Sequence, residues 1–217
     1  MTTLNTSKLN TPKLITVVSA GLRSPSSSRL LADEIATAVT RLSGERVEVR
    51  HVEVRDHAHA IADALLTGFP TGQLKTDLES VREADALVMV SPTFQASVAG
   101  LFKSFIDLVE PDSLRGTPVL LAATGGSERH SLVIDQVLRP IFAYLGAVTV
   151  PTGVYAATGD FGGEYASTLS ARIERAAGEL VTLAGLSGDS SRSVRRAPVD
   201  DFDEVTPFEN LLAGVQR

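Results

Sequence analysis

The chain has 217 residues, 43% of them hydrophobic, and a formal net charge of −6 at pH 7. Cysteine is absent, which excludes disulfides, thiolate nucleophiles and cysteine-ligated metal sites, and the acidic balance argues against nucleic-acid binding because such proteins carry a basic face. No apolar run approaches the roughly 20 residues of a membrane span, and the polar extension at 1–13 lacks the apolar centre of a signal peptide. We therefore expect a cytoplasmic, globular protein that binds neither nucleic acid nor membrane.

Five segments of the chain predict β-strands. The ranges 14–20, 86–90, 119–123 and 147–150 are almost continuously apolar, which is typical of strands that helices cover on both faces of a parallel sheet. The range 46–55 comes second along the chain and alternates apolar with charged residues. We expect it at a sheet edge, where one face is wet.

Apolar residues with a period near 3.6 predict amphipathic helices between these strands. Two short helices are expected within 57–83, on either side of a loop at 67–72. The helix predicted at 131–145 is apolar over a wider face than one sheet contact needs, which favours a second subunit as its burial partner. The apolar positions of the four main helices are Leu31, Ile35, Val39 and Leu42; Leu101, Phe105 and Leu108; Ile134, Leu138, Ile141 and Leu145; and Leu169, Ile173, Ala176, Leu180 and Leu183.

The order of these elements predicts the fold class. Because crossovers between parallel strands are right-handed, five strands with the second at an edge predict an α/β, flavodoxin-like, doubly wound parallel sheet of order 2-1-3-4-5. We expect this domain to span 14–185. The composition then shifts to Ser, Asp and Arg, which predicts a C-terminal tail at 186–217 that is partly docked or disordered.

In such a sheet, ligands bind at the carboxyl ends of the strands, near the point where the strand order reverses. The first loop there, 19–29, combines several hydroxyls, Arg23 and a helix N-terminus, and this combination favours an anion such as a terminal phosphomonoester. It has neither the three spaced glycines of a dinucleotide fingerprint nor the lysine of a nucleotide-hydrolase phosphate loop. The alternative is that its serines only cap the helix and that Arg23 is solvated.

The second and third loops, 91–100 and 124–130, lie beside the first in this sheet. We expect Pro92 to end its strand, because proline cannot donate to the ladder. Phe94 then lies at the strand tip, either beside a flat ligand or packed under the loop. The third loop begins with a Gly-Gly pair, which allows a backbone to approach a ligand closely.

The histidines give weaker signals. His51, His57 and His59 lie near the edge strand without a matching carboxylate cluster, so we do not expect a metal site there. His130 either contacts a ligand beside the third loop or caps its helix. The chain also lacks the Gly-x-Ser-x-Gly elbow of serine hydrolases.

The three loops together resemble the NAD(P)H-dependent FMN reductases of flavodoxin-like fold, over about residues 14–183. The most specific part is the Pro-x-aromatic-x-x-Ser-x-x-Gly spacing that starts at Pro92. It is followed by Lys103 and Asp107, whose spacing is that of an i,i+4 ion pair on a helix. The segment 123–140 resembles one branch of the family, the reductases that supply reduced FMN to luciferase-like two-component monooxygenases, including the alkanesulfonate system.

The resemblance implies roles for residues of all three loops. Many members have a serine at the position of Gly21, so Ser19 or Ser24 would supply the missing hydroxyl, and many have tyrosine in place of Phe94. Gln136 stands where alkanesulfonate-type members carry a tyrosine in an interface helix. The implied FMN-phosphate ligands are Ser19, Gly21, Arg23, Ser26 and Ser28, and the implied neighbours of the isoalloxazine are Pro92, Thr93, Phe94, Gln95 and Ser97 on one side and Thr124, Gly125 and Gly126 on the other.

The implied reaction is hydride transfer from nicotinamide C4 of NADPH or NADH to flavin N5, which needs no metal and no side-chain nucleophile, acid or base. Backbone amides beside Gly125 and Gly126 are the candidates to stabilise negative charge at the flavin N1–C2=O edge. A flavin-dependent monooxygenase partner and a homodimer or homotetramer are also implied. Two alternatives stay open, an FMN-containing quinone or azo-dye reductase and a non-catalytic, flavodoxin-like electron carrier.

Overall fold

A mainly parallel sheet forms the centre of the molecule. The computed structural model describes residues 12–44, 47–162 and 166–187. The strands are β1 (Lys13–Ser19), β2 (Val47–Glu53), β3 (Ala86–Phe94), β4 (Ser97–Val98), β5 (Pro118–Gly125), β6 (Val148–Thr149) and β7 (Val154–Ala157). Their order is β2-β1-β3-β5-β6, in which β7 also pairs with β5, while the short β4 is antiparallel to β3.

Helices cover both faces of the sheet. The helices are α1 (Ser27–Leu42), α2 (Ala58–Thr67), α3 (Gly72–Arg82), α4 (Gly100–Ile106), α5 (Arg139–Tyr144) and α6 (Ala166–Leu183). One apolar core lies between the sheet and α1 with α6, and the other lies between the opposite face and α2 to α5. Within the described ranges, none of these helices is both long and apolar enough to cross a membrane.

The predicted fold class and strand order are confirmed, with β5 in fourth place and β6 and β7 sharing the fifth. The number of strands is larger than predicted, since β4 and β7 have no counterpart among the predicted strands. The predicted strand at 147–150 contributes only Val148 and Thr149 to the sheet. Pro151 follows β6 without an N–H for the ladder, and pairing with β5 resumes at Val154.

The helix predicted at 131–145 is present as one helical run over 133–144, but it is not a regular α-helix. A π-helical turn spans Ile134–Leu138, and α5 begins only at Arg139. Pro140 follows this turn, and its ring nitrogen cannot donate to the carbonyl of Gln136, four residues earlier. The amide of Arg139 bonds instead to the carbonyl of Ile134, five residues back, which widens the helix locally.

The apolar residues of this segment are mostly buried within the chain itself. Val133 and Phe142 lie in the core, so they need no second subunit as burial partner, contrary to the argument from apolar width. The apolar side chains that remain exposed are different ones, Leu132 at 59% and Tyr144 at 79%.

The third strand continues past Pro92, where the sequence predicts its end. Pro92 still pairs with Thr124 of β5, whereas β1 pairs with β3 only as far as Val90. One edge of β3 is therefore free of a neighbouring strand at Pro92, and the missing N–H is tolerated there. The chain then turns back into β4 through Gln95 and Ala96, which have positive φ angles of 50° and 60°.

Some predicted segments lie outside the described residues. Only 186 and 187 of the predicted tail are described, and Leu186 is buried with its carbonyl accepting a hydrogen bond of 3.0 Å from the amide of Gly44. The rest of the tail, the extension before residue 12 and Arg46 of the predicted edge strand are not among the described residues.

Candidate functional site

The three loops predicted to carry the site meet at the carboxyl edge of the sheet. They line a cavity of about 360 Å³, which we call the three-loop cavity. Ten of the thirteen predicted site residues line it, whereas Ser19, Gln95 and Ser97 do not. The complete lining is Gly21, Leu22, Arg23, Pro25, Ser26, Ser27, Ser28, Pro92, Thr93, Phe94, Thr124, Gly125, Gly126 and Thr158.

The serines at the start of α1 already have partners within the chain. Ser26 is the N-cap, and its hydroxyl accepts a hydrogen bond of 3.2 Å from the amide of Arg29. Ser28 is buried, and its hydroxyl shares a hydrogen bond of 2.8 Å with that of Thr124 in the third loop. Capping therefore accounts for Ser26, as the alternative interpretation expects, while Ser28 ties the first loop to the third. The first amides of α1 lack intrahelical partners and remain available to an anion.

Gly21 is required by the capping serine. A Cβ added at Gly21 would lie 1.8 Å from the hydroxyl oxygen of Ser26. The serine that many FMN reductases have at this position therefore does not fit here unless the cap moves. The missing hydroxyl is accordingly a consequence of how this loop is packed.

Arg23 and Arg29 lie near each other in sequence but differ in their partners. The guanidinium of Arg29 bonds to Asp33 at 2.7 Å and to Glu53 at 2.9 Å. Burial acts to lower the pKa of Arg29, but these two carboxylates outweigh it and raise that pKa. Arg23 is exposed at the cavity and has neither an ion pair nor a side-chain hydrogen bond to another described residue. Its charge is therefore available to a ligand.

The carboxylate of Glu53 connects the two ends of the first loop. The sequence did not predict this role for Glu53. Its carboxylate accepts hydrogen bonds of 2.9 and 3.0 Å from the hydroxyl of Ser19, just before the loop, and one from Arg29 in the first turn of α1. Ser19 is thus a buried anchor of the loop, and its hydroxyl does not line the cavity. The parallel register places Ser19 directly beside Glu53, a pairing that no local pattern indicates.

The second loop presents an aromatic ring and an unsatisfied hydroxyl. Phe94 is 45% exposed and lines the cavity, so it is not packed under the loop. The hydroxyl oxygen of Thr93 is buried and makes no hydrogen bond of good geometry within the described part of the chain. The hydroxyl of Ser91 holds the base of the hairpin, accepting a bond of 3.1 Å from the amide of Ala99.

Different features of the structure explain the two glycines of the third loop. A Cβ at Gly125 would lie 2.1 Å from the hydroxyl of Tyr155, so this glycine is explained by the protein's own packing. That hydroxyl donates to the carbonyl of Ser127 at 2.7 Å, and burial raises the pKa of Tyr155. A Cβ at Gly126 would meet nothing within 4 Å. The open face of the loop is therefore at Gly126.

The other polar candidates lie away from this cavity. His57 is buried and bonds through Nε2 to Asp77 at 2.8 Å, and Lys103 forms an ion pair with Asp107, as its spacing predicts. His130 is exposed and does not line the three-loop cavity. Among the described residues, no group of three or more His, Asp or Glu side chains is placed to hold a metal ion.

The residues of the three-loop cavity fit a mononucleotide of flavin type. The first loop offers free amides and the unpaired guanidinium of Arg23, which suit a phosphate. The second and third loops offer the exposed ring of Phe94, the buried hydroxyl of Thr93 and the open face at Gly126, which suit a flat heterocycle with polar edges. The cavity volume is also within the roughly 300–1,000 Å³ that is usual for small-molecule sites.

The doubly wound sheet, with a ligand-sized cavity at its switch point, defines a flavodoxin-like α/β protein. Residues 14–162 match the family described as NADPH-dependent FMN reductase, and the chain belongs to that family. The protein is therefore an oxidoreductase that uses NAD(P)H and FMN, which removes the non-catalytic carrier from the alternatives.

Similar proteins agree with this assignment. The NADH-dependent FMN reductase SfnF of Pseudomonas putida is 43% identical over 148 residues, which cover 68% of this chain and 78% of the relative. The FMN reductase (NADPH) of Pseudomonas aeruginosa is 35% identical over 179 residues, covering 82% and 95%. An oxidoreductase of Corynebacterium diphtheriae, solved by X-ray crystallography, superposes with a TM-score of 0.78 at 44% identity, covering 80% of this chain and 97% of the other.

Proposed function

We propose that the three-loop cavity is the FMN site of this reductase. The phosphate of FMN binds at the first amides of α1 and at Arg23, and the isoalloxazine lies between Phe94 and the backbone at Gly125 and Gly126. The observation that carries the proposal is that all three loops line one cavity, to which the first loop contributes an unpaired guanidinium and the second an exposed aromatic ring.

The chain's own contribution is binding, orientation and charge stabilisation. Bound FMN supplies the acceptor for a hydride, and the lining of the cavity contains no acid, histidine, lysine or tyrosine that would act as a general acid or base. Holding two rings in register is worth several kcal/mol through orientation alone. The amides at Gly125 and Gly126 are the candidates to stabilise negative charge on the ring edge.

Substitution of Arg23 tests the FMN site. Loss of a charge-assisted contact of about 1.5–3 kcal/mol predicts roughly tenfold to hundredfold weaker FMN binding in Arg23→Ala, with little change in the rate of NAD(P)H oxidation at saturating FMN. Arg115→Ala is the matched control, because Arg115 precedes β5 at the opposite edge of the sheet and pairs with Asp112. Fluorescence titration of FMN gives both affinities, and equal affinity in Arg23→Ala and the parent would place the phosphate elsewhere.

We further propose that the protein supplies reduced FMN to a luciferase-like, two-component monooxygenase in the cytoplasm. This proposal is supported by the resemblance of segment 123–140 to that branch of the family. It is also supported by the open space that the described residues leave beside Phe94 and Gly126. The alternative is a quinone or azo-dye reductase that retains its FMN. An assay offering FMN, FAD, riboflavin and a quinone in turn separates them, since a protein that purifies yellow and prefers the quinone supports the alternative. Bacterial luciferase with its aldehyde serves as reporter, because it emits light only if reduced FMN leaves the reductase.

A homodimer or homotetramer is proposed to form through the segment that contains α5. Its support is an apolar groove of about 420 Å³ between α4 and α5, bordered by Ile106, Pro140 and the exposed ring of Tyr144. Light scattering of the parent and of Tyr144→Glu measures the molecular mass. The expected result is an oligomer that the charged variant weakens, and a monomeric parent would contradict the proposal.

A further inference from the structure

A second cavity, of about 510 Å³, lies beside the three-loop cavity and belongs to none of the predicted loops. It lies between the segment that contains the π-helical turn, the β6–β7 connection and α6, and we call it the edge cavity. The residues that matter for its chemistry are Ser131, Asp135, Thr152, Tyr155, Arg172 and Arg175.

The edge cavity carries two unpaired guanidinium groups. Arg172 and Arg175 are three residues apart on α6, so they lie on the same face of the helix, where like charges repel. Neither has an ion pair or a side-chain hydrogen bond among the described residues, in contrast to Arg41, which pairs with Glu174 of the same helix. Both side chains are exposed at this cavity, and two adjacent cations without a carboxylate partner favour an anionic ligand there.

The carboxylates near these arginines are already bound elsewhere. Asp135 pairs with the Nε of Arg139 at 2.9 Å. Glu179 accepts hydrogen bonds from the amide and the hydroxyl of Thr152, at 2.8 and 2.7 Å. These carboxylates therefore form no ion pair with Arg172 or Arg175, although Asp135 lines the same cavity.

Tyr155 separates the two cavities. Its ring lines the edge cavity, while its hydroxyl bonds to the carbonyl of Ser127 and lies against Gly125, which lines the three-loop cavity. Tyr155 thus links the lining of one cavity to the third loop, which lines the other.

We infer that the edge cavity binds the phosphates of the adenosine half of the nicotinamide dinucleotide, whose nicotinamide end reaches the three-loop cavity. The planar guanidinium forks of Arg172 and Arg175 match phosphate oxygens, and Ser131 lines the same cavity with a hydroxyl group. The volume suits an adenosine phosphate. The inference rests on the FMN reductase activity and on the proposed FMN site.

Binding of oxidised donors by the full chain tests the inference. NADP⁺ and NAD⁺ are titrated calorimetrically into the parent, into the double variant Arg172→Gln with Arg175→Gln, and into the control Arg82→Gln with Arg115→Gln, whose arginines pair with surface carboxylates. The expected result is at least about tenfold weaker NADP⁺ binding in the double variant only, with FMN affinity and Tm unchanged. The KM for the donor should rise similarly at constant kcat.

Comparing NADP⁺ with NAD⁺ shows which phosphate group of the donor Arg172 and Arg175 bind. Weaker binding of both NADP⁺ and NAD⁺ assigns the arginines to the pyrophosphate, whereas weaker binding of NADP⁺ alone assigns them to the 2′-phosphate, and either result supports the inference. Donor affinities within twofold of the parent would overturn it, as would an equal loss of FMN affinity. Failure of the FMN site itself is recognised separately, because Arg23→Ala would then leave FMN affinity unchanged.

Discussion

The two ends of the three-loop cavity differ in how far the chain itself satisfies their polar groups. At the proposed phosphate end, around the start of α1, the hydroxyls of Ser26 and Ser28 are already hydrogen-bonded within the protein, and only Arg23 and the first amides of α1 are left for a ligand. At the proposed ring end, Phe94 is half exposed, the buried hydroxyl of Thr93 makes no hydrogen bond of good geometry among the described residues, and Gly126 faces open space. A site for a compact anion is thus preorganised by the chain, whereas a surface for a flat ring stays open until the ring covers it.

This difference has a consequence for substitutions. Residues whose hydrogen bonds hold the first loop in place are also part of the fold, so their loss should lower stability and FMN affinity together, unlike loss of the unpaired Arg23. Residues exposed at the ring end contribute little to the fold, so their loss should lower affinity alone. The following predictions separate these two behaviours.

Glu53→Ala is expected to have the largest effect. It leaves the hydroxyl of Ser19 and part of the guanidinium of Arg29 without their acceptor, which predicts a loss of about 1–3 kcal/mol in the free energy of unfolding. In a domain of this size each kcal/mol corresponds to a Tm lower by about 2–4 °C. FMN affinity should fall as well. The control is Asp33→Ala, which removes the more exposed partner of Arg29 and should change both quantities little.

Gly125→Ala tests the close contact between the third loop and the hydroxyl of Tyr155. The added Cβ would collide with the hydroxyl of Tyr155, and we expect a loss of about 1–2 kcal/mol in the free energy of unfolding because the buried ring must tilt. Tyr155→Phe removes the colliding oxygen, so the double variant should recover part of that loss. A double-mutant cycle from urea unfolding measures the coupling, and strictly additive effects would show that the ring is not the obstacle.

Phe94→Ala should separate binding from stability. Because the ring is half exposed, the free energy of unfolding should change by less than about 0.5 kcal/mol. Loss of a ring contact of about 0.5–1.5 kcal/mol predicts FMN binding that is roughly twofold to tenfold weaker. Phe69→Ala, at a 76% exposed ring outside the cavity, should change neither quantity. A large drop in Tm for Phe94→Ala would contradict an open ring end.

His51, which lies near Arg29 and Asp33, should make a small contribution to the pH dependence of stability. Burial lowers its pKa, and Arg29 lowers it further, although Asp33 and Glu53 act in the opposite direction. The folded state therefore favours the neutral imidazole, so its contribution to stability is complete above the ordinary pKa of 6.5 and is lost as the pH falls below that value. His51→Gln should flatten the decline of Tm between about pH 6.5 and 5. The two proteins should have parallel profiles between about pH 7 and 8, where both are neutral at this position.

Much of the fold was predictable because it depends on local composition. The strands β1, β3 and β5 carry continuous apolar runs that only burial on both faces explains, and their order follows from the handedness of crossovers. The strand β7 escaped prediction because Val154–Ala157 is four residues long and follows a proline and a glycine that indicate a loop. The π-helical turn escaped because its apolar positions also fit an ordinary helix.

The candidate site was predictable to the level of loops but not of contacts. Arg23 and Phe94 are polar and aromatic residues at strand ends, where a ligand explains them better than packing does. Glu53, Tyr155 and the arginines of α6 were missed, because each acquires its meaning from a partner distant in sequence. Gly125 shows the same limit, since the Gly-Gly pattern suggests a ligand but the structure explains this glycine by Tyr155.

The sequence by itself determined the doubly wound sheet and the three loops at its carboxyl edge, because apolar runs and parallel crossovers leave few other arrangements. The tertiary structure alone decided which groups within those loops are already bonded and which remain open. That distinction depends on strand register and side-chain packing between residues far apart in the chain, as in the pairing of Ser19 with Glu53. Such contacts carry no local signal, since either residue would be unremarkable in its own segment.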